Sequence, residues 1–134
     1  MGREVIPTEA QEQEALFYWA SIEQRRYPEL ALLHAIPNGG SRHPAEARNL
    51  KAQGVKAGIP DIFLPVARQG YHGLYIEMKR RKGGRVSVEQ KVMLNDLNAQ
   101  GYKAIVCEGW EFAKAEIEAY MKTVGDVVNI VQPF

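Results

Sequence analysis

Residues 58–79 read GIPDIFLPVARQGYHGLYIEMK and contain two short apolar runs joined by a glycine-containing connection. Two such runs separated by a few turn-forming residues are typical of a β-hairpin. Side chains alternate between the two faces of a strand, so Ile76 and Met78 are expected on one face and Glu77 and Lys79 on the other. The second strand therefore presents a carboxylate and an ammonium group side by side.

Asp61 opens the first strand of this hairpin and is expected to meet Glu77 across the strand pair. The two carboxylates and Lys79 would then converge on one face of the sheet. Oxygen ligands of this kind hold Mg²⁺, which keeps several waters and takes phosphate oxygens as further ligands. Lysine adds a compact cation that steadies an attacking water or the charge that develops on a phosphate. The sequence thus predicts a site for a phosphate and for Mg²⁺, with Mn²⁺ as a substitute.

A Pro-Asp pair at 60–61, followed by Glu-Met-Lys at 77–79, resembles the signature of the PD-(D/E)XK nucleases. The surrounding sequence resembles the VRR-NUC branch of that superfamily in four segments: PNGG at 37–40, GVKAGIPD at 54–61, GLYIEMK at 73–79 and SVEQ at 87–90. The resemblance covers about residues 8–120. It leaves out a β-prone C-terminal tail, residues 123–134.

The chain of 134 residues is long enough for one core, and we expect residues 1–134 to form a single nuclease domain. Hydrophobic residues make up 46% and charged residues 25%, a balance typical of globular domains. No apolar run reaches the length of a membrane span and the N-terminus lacks the apolar region of a signal peptide, so a cytoplasmic protein without membrane contact is expected. The single cysteine, Cys107, excludes an internal disulfide bond, and its apolar neighbours favour a buried, inert thiol.

The predicted elements follow the order helix, strand, helical insertion, two strands, helix, strand, helix. This order matches the αβββαβ core of the PD-(D/E)XK nucleases, an α/β fold with a mixed sheet flanked by helices. Residues 30–36 are predicted to form a buried strand, and residues 102–107 a central strand. The tail at 123–134 is expected to add an edge strand or to pair with another subunit.

The resemblance implies a role for each polar residue of the hairpin. Asp61 and Glu77 would hold the metal ion, with the Met78 carbonyl as a further ligand. Lys79 would orient the attacking water or help to deprotonate it. The products that the resemblance implies carry a 5′-phosphate and a 3′-hydroxyl.

The first helix is predicted to begin after Thr8, which is a suitable N-cap. The family carries a glutamate at the start of this helix and a glutamine one turn on, and Glu9 with Gln13 fits that pattern best. Glu12 and Glu14 are alternatives for the glutamate that completes the metal site. Acidic residues in a first helical turn also favour the helix dipole without any other role.

Gln90 has two interpretations. The sequence SVEQ at 87–90 is a capping box, in which the Ser87 hydroxyl and the Gln90 side chain exchange backbone partners at a helix start. Gln90 also lies on the inward stripe of the predicted helix, and the resemblance implies that a glutamine there approaches the metal site. Both roles stay open.

Basic residues cluster directly after the predicted metal strand, although the formal net charge of the chain is only +1. Such a charge run is commonly a solvated turn, but its position next to Glu77 favours phosphate contact. The loop at 37–42 has strong turn chemistry and could bring backbone N–H groups close to a phosphate. The candidate DNA contacts are Asn38, Arg42, Lys56, Arg80, Arg81, Lys82 and Arg85.

These features favour Mg²⁺-dependent hydrolysis of DNA phosphodiesters. A chain of this size carries no separate sequence-recognition domain, so we expect a structure-selective endonuclease that acts at Holliday junctions or flaps. A homodimer would place two active sites on two strands of branched DNA. Two alternatives stay open. One is a sequence-specific restriction-type endonuclease, against which the missing recognition insert counts. The other is a DNA-binding module with an inactive site, against which the intact Asp61, Glu77 and Lys79 count.

Overall fold

A computed structural model describes residues 5–37 and 43–122. The predicted order of elements is confirmed, with one short 3₁₀ helix added at Pro28–Leu32. The α-helices and strands are, in chain order, α1 (Glu9–Glu23), β1 (His34–Ala35), α2 (Pro44–Ala52), β2 (Ile62–Leu64), β3 (Leu74–Lys79), α3 (Val88–Ala99), β4 (Lys103–Glu108) and α4 (Trp110–Lys122). None of the helices in the described ranges is both long enough and apolar enough to cross a membrane.

The four strands form one mixed sheet in the order β1-β2-β3-β4. The hairpin prediction is confirmed, because β2 and β3 pair antiparallel with Ile62 opposite Ile76. β4 pairs parallel with β3 and therefore lies at the edge of the sheet in the described part of the chain. The prediction of a central strand at 102–107 is wrong in this respect. β2 already occupies one side of β3, so the chain that returns through α3 adds its strand to the free side.

The prediction of a buried strand at 30–36 is also wrong. Residues 28–32 form the 3₁₀ helix, and β1 is a two-residue strand whose residues are exposed. Pro28 occupies the start of the helix, where its fixed φ angle and missing N–H are tolerated. Leu30 and Leu33 are buried, and their spacing of three residues puts both on one side of a 3₁₀ turn.

The hydrophobic core lies between the sheet and the two helices α1 and α4. Alternate strand residues supply one side of it, and Ile62, Leu64 and Ile76 are fully buried there. Tyr120 of α4 is also fully buried, and its hydroxyl donates a hydrogen bond to a main-chain carbonyl at 2.6 Å. Helix α3 packs instead against β4. The sheet is therefore held from the α1–α4 side by apolar packing, which leaves the ends of β2 and β3 to position polar groups.

The thiol of Cys107 is buried in this core, as predicted. Burial raises its pKa to about 12, so the thiol is protonated at neutral pH. A protonated thiol is a poor nucleophile. Cys107 therefore belongs to the packing of β4 and not to the chemistry of the protein.

Candidate active site

Asp61 and Glu77 face one another at the open end of the hairpin. Ile62 is paired with Ile76, so one step further along this antiparallel register Asp61 is opposite Glu77. The Asp61 carboxylate accepts a hydrogen bond from the Met78 N–H at 2.9 Å. Main-chain N–H and C=O groups of one strand residue point to the same side of the strand, so the Met78 carbonyl is also directed towards Asp61.

Glu77 is the most unusual residue of the site because it is a carboxyl group with only 1% of its surface exposed. Its Oε1 accepts a hydrogen bond from Gln90 Nε2 at 2.5 Å, while its Oε2 is buried and has no hydrogen-bond partner among the described residues. The pKa of Glu77 is raised to about 9. Burial is the largest cause and the adjacent Asp61 carboxyl is the second, opposed by the positive charge of Lys79.

Gln90 belongs to the predicted capping box and also contacts Glu77. Its side-chain oxygen accepts from the Ser87 N–H at 2.8 Å in the capping box of α3, while its amide nitrogen donates to Glu77. Gly58 makes this arrangement possible. A Cβ atom at Gly58 would lie 2.5 Å from the Glu89 carbonyl oxygen, and the φ angle of Gly58 is +87°. Only glycine lets the loop before β2 approach the start of α3 so closely.

Lys79 ends β3 with a buried side chain, and its Nζ atom lies 3.9 Å from Glu9 Oε1. The Glu9 side chain is 48% exposed, and its charge also acts on Glu77. Of the three glutamates considered on α1, Glu9 is thus the one next to Lys79. Glu14 lines a separate cleft between α1 and β1.

Glu12, the remaining alternative, forms an ion pair with Arg81, which the sequence predicted as a DNA contact. Arg81 donates from Nε and Nη2 to the two carboxylate oxygens of Glu12 at 3.0 and 2.9 Å. The Trp110 N–H reaches the same carboxylate at 3.4 Å. The Arg81 hydrogen bonds lower the pKa of Glu12 although its burial opposes this. Sequence analysis missed the pair, because residues so far apart in the chain give no local pattern.

The other predicted DNA contacts are exposed or lie outside the residues that the structure describes. Arg80, Lys82 and Arg85 are exposed in the segment that follows β3, and Lys56 is exposed in the loop before Gly58. Two more candidates, Asn38 and Arg42, lie outside the described residues, as does the tail at 123–134.

The donors available for a metal ion are oxygen atoms. Within residues 5–37 and 43–122, no three His, Cys, Asp or Glu side chains are grouped closely enough to form a complete metal-binding cluster. Asp61 and Glu77 nevertheless form a pair of carboxyls, and the Glu77 Oε2 atom lacks a partner. A buried polar atom without a partner is costly, so this atom is suited to bind an added cation.

Comparison with known proteins agrees with this geometry. A family model described as the VRR-NUC domain matches residues 3–111. The chain belongs to the VRR-NUC domain family. A solved structure described as a VRR_NUC domain protein is 30% identical and superposes with a TM-score of 0.76, covering 88% of this chain and 91% of the other. A comparison with curated proteins finds no match.

Membership of the VRR-NUC family confirms the resemblance found in the sequence and implies a nuclease-type function with DNA as the substrate. The four-stranded mixed sheet flanked by helices is consistent with a PD-(D/E)XK core. The family model spans the hairpin, α3 and the α1 glutamates, so the site described above lies entirely within the matched residues.

Proposed function

We propose that this VRR-NUC domain is a metal-dependent, structure-selective DNA endonuclease whose active site is formed by Asp61, Glu77 and Lys79. The observation that carries the proposal is the buried Glu77 Oε2 atom without a partner, next to a second carboxyl and a buried lysine. Such a group is expensive to maintain unless a ligand uses it. Neither carboxyl contributes to the apolar core.

Mg²⁺ is the metal that this donor set favours, with Mn²⁺ as a substitute. Mg²⁺ is usually bound through one or two carboxylates and keeps several waters, so two carboxyls suffice. Asp61 and Glu77 would hold the ion, with the Met78 carbonyl as a further ligand and Glu9 as a contributor from α1. When bound, the ion supplies charge stabilisation at the phosphate and lowers the pKa of water.

The residues of the chain itself have separate tasks in this proposal. The Met78 N–H and the Gln90 amide each bind one carboxyl and fix its orientation. The Lys79 ammonium, 3.9 Å from Glu9, orients the attacking water and stabilises the charge that develops on the phosphate. Positioning of these groups before the substrate arrives is a main source of rate enhancement in such sites.

Branched DNA is the substrate we propose, with Holliday junctions and flaps as its forms. The exposed cations Lys56, Arg80, Lys82 and Arg85 would contact phosphates near the site without reading the base sequence. Two cuts across a junction need two sites, so the proposal includes a homodimer. A cytoplasmic location stays a prediction.

The test uses the purified full chain and labelled linear duplex, flap, fork and four-way junction DNA of matched sequence. Each substrate is incubated with Mg²⁺, Mn²⁺, Ca²⁺ or EDTA. We expect cleavage of branched substrates with Mg²⁺ or Mn²⁺, and binding with little turnover in Ca²⁺, whose coordination shell is larger and looser. Sedimentation at micromolar concentration is expected to give about twice the 15.1 kDa mass of the chain.

The outcomes separate the alternatives. Full activity in EDTA would contradict a metal-dependent mechanism. Cleavage of linear duplex at one sequence would favour a restriction-type endonuclease, and binding without cleavage under every cation would favour a DNA-binding module. A monomer that cuts flaps but not four-way junctions would remove the dimer and junction parts of the proposal while leaving the nuclease part intact.

A further inference from the structure

Two ion pairs connect the same two elements next to the proposed active site. The first turn of α1 contributes Glu9 and Glu12, which are three residues apart and lie on neighbouring parts of the helix surface. Their partners are Lys79, the last residue of β3, and Arg81 two positions later. The helix therefore contacts the end of β3 at two successive points, of which only the first includes a proposed catalytic residue.

The two pairs differ in how tightly they are made. Lys79 Nζ and Glu9 Oε1 are 3.9 Å apart and the glutamate is half exposed, so this pair alone restrains the lysine weakly. Glu12 and Arg81 meet through two hydrogen bonds at 2.9 and 3.0 Å, and the glutamate side chain is 1% exposed. Two parallel bonds to a planar guanidinium fix both distance and orientation.

The surroundings connect the tighter pair to Lys79 through the main chain. The Gly109 N–H donates to the Lys79 carbonyl at 2.9 Å, and the next residue, Trp110, donates its N–H to Glu12. At Gly109 an added Cβ atom would lie 3.5 Å from both Arg81 Cβ and Glu12 Oε2. The start of α4, the end of β3 and the first turn of α1 thus meet around the Glu12 carboxylate.

We propose that the Glu12–Arg81 ion pair is a latch that holds the end of β3 against α1 and thereby sets the position of the Lys79 ammonium group. Arg81 is then a positioning residue that acts through Lys79, and its guanidinium is not one of the phosphate contacts. This inference rests on the proposed function for its effect on catalysis. The effect of the latch on the position of Lys79 is independent of the proposed function, because that position can be measured on the protein alone.

Two variants test the latch without leaving a lone buried charge. Arg81→Lys keeps the charge but loses the two-pronged contact, and the double variant Glu12→Leu with Arg81→Met replaces both partners by apolar groups. Arg80→Met provides the comparison, because Arg80 is adjacent, exposed and a proposed phosphate contact. Circular dichroism and thermal melting establish that each variant is folded.

The first measurement is the reactivity of Lys79 towards an amine-reactive reagent in the protein alone, determined by mass spectrometry relative to Lys103. Lys79 is now shielded, with 9% of its side chain exposed. We expect both latch variants to raise the relative labelling of Lys79 at least about threefold, whereas Arg80→Met leaves it unchanged. Unchanged labelling in both latch variants would overturn the proposal.

The second measurement is cleavage of the preferred branched substrate. We expect the latch variants to lower kcat about tenfold with KM within about twofold of the original, since misplacement by an ångström is enough for such losses. The slope of log affinity against log salt should stay unchanged in the double variant but fall by about one in Arg80→Met. A fall of about one in the double variant with unchanged kcat would make Arg81 a phosphate contact and overturn the latch.

Failure of the proposed function has a different appearance. If the original protein cleaves none of the substrates, the nuclease proposal fails, and Lys79 labelling still decides whether the latch exists. If cleavage occurs and only the labelling is unchanged, the latch fails and the nuclease proposal is unaffected.

Discussion

The same sheet face carries two regions of opposite character within a few residues. At one end of the hairpin, Phe63 and Tyr75 are stacked with ring centroids 4.2 Å apart, and Tyr102 meets Tyr75 edge-on at 5.3 Å. At the other end, two residues along β3, Glu77 faces Asp61 and has a buried oxygen atom without a partner. In the first region the side chains pack against each other, whereas in the second a buried oxygen atom has no hydrogen-bond partner.

The proposed function would place stability at one end of the hairpin and catalysis at the other. Aromatic pairs of this geometry contribute about 0.5–1.5 kcal/mol beyond the area they bury. The buried Glu77 carboxyl opposes folding, because burial and the adjacent Asp61 carboxyl both disfavour its charged form and raise its pKa. Local conflict of this kind is expected at functional sites and is offset by consistent packing elsewhere. The stacked rings of Phe63 and Tyr75 stabilise the β2–β3 strand pair, whereas the buried Glu77 carboxyl facing Asp61 destabilises it.

The largest expected effect comes from replacing residues of the proposed active site beside Glu77. Lys79→Ala and Asp61→Asn should each lower cleavage about a thousandfold or more, since one removes the cation at the phosphate and the other weakens the metal site. Both proteins should remain folded. Single-turnover cleavage of a four-way junction and electrophoretic binding of the same DNA provide the measurement.

Matched controls for these variants are Lys103→Ala, a lysine on the neighbouring strand, and Asp96→Asn, an exposed aspartate on α3. Both should cleave at the original rate. Cleavage at the original rate by folded Lys79→Ala and Asp61→Asn would instead show that the hairpin end is an ordinary polar strand pair and would refute the assignment of the site.

An intermediate effect, on stability, is expected when the buried ionisable carboxyl of Glu77 is replaced by a neutral amide. The folded-state pKa of Glu77 is raised from 4.5 to about 9, so the folded protein binds a proton more tightly than the unfolded chain. The contribution of the Glu77 carboxyl to the free energy of unfolding is fully present below about pH 4.5 and is lost as the pH rises towards 9. Glu77→Gln removes this loss, and we expect it to stabilise the metal-free protein at pH 8.5 by on the order of 2 kcal/mol.

Urea unfolding in EDTA at several pH values measures this effect. The difference between Glu77→Gln and the original protein should shrink towards pH 5, where the folded glutamate is protonated and the pH approaches the unfolded pKa of 4.5. Millimolar Mg²⁺ should raise the Tm of the original protein and not of the variant, because a ligand stabilises only the state that binds it. A pH-independent difference would contradict the role given to burial of Glu77.

The smallest effect is expected at the aromatic end. Phe63→Leu keeps an apolar side chain but removes the stacked ring, and it should lower the free energy of unfolding by about 1 kcal/mol. Cleavage should stay within about twofold of the original. Phe112→Leu is the control, since Phe112 is 67% exposed and should leave stability unchanged. If Phe63→Leu greatly reduced cleavage by a folded protein, the proposed separation of stability from function along the sheet face would be wrong.

The parts of the fold that sequence analysis predicted correctly depend on short-range patterns. The hairpin follows from alternation around a turn. The starts of α1 and α3 follow from the N-cap at Thr8 and the capping box at Ser87, both of which are confirmed. Asp61 and Glu77 meet because hairpin register is determined by the alternation and the turn. The central signature was therefore available from the residues between 58 and 90.

The parts that it predicted wrongly depend on contacts that are distant in sequence or on competition between elements. An apolar run such as 30–36 is compatible with a strand or a short helix, and the burial of Leu30 and Leu33 decided between them. The position of β4 at the sheet edge depends on which side of β3 was free. Sequence analysis also missed the contact of Arg81 with a carboxylate 69 residues earlier in the chain, because it has no local pattern. The DNA contact predicted for Arg81 from its basic neighbours stays a prediction.

The length of chain enclosed by the latch has a consequence for synthesis on the ribosome. The contacts around the two carboxyls are short in sequence: 17 positions separate Asp61 from Met78, and 13 separate Glu77 from Gln90. The contacts of Glu12 are much longer, with 69 positions to Arg81 and 98 to Trp110. Contacts that close long loops form later, because chain entropy is lost before they contribute. A nascent chain can thus assemble its carboxyl pair early but cannot fix α1 beside Lys79 until Trp110 has emerged. We expect the growing chain to reach its full cleavage rate only after residues 9–110 have left the ribosome.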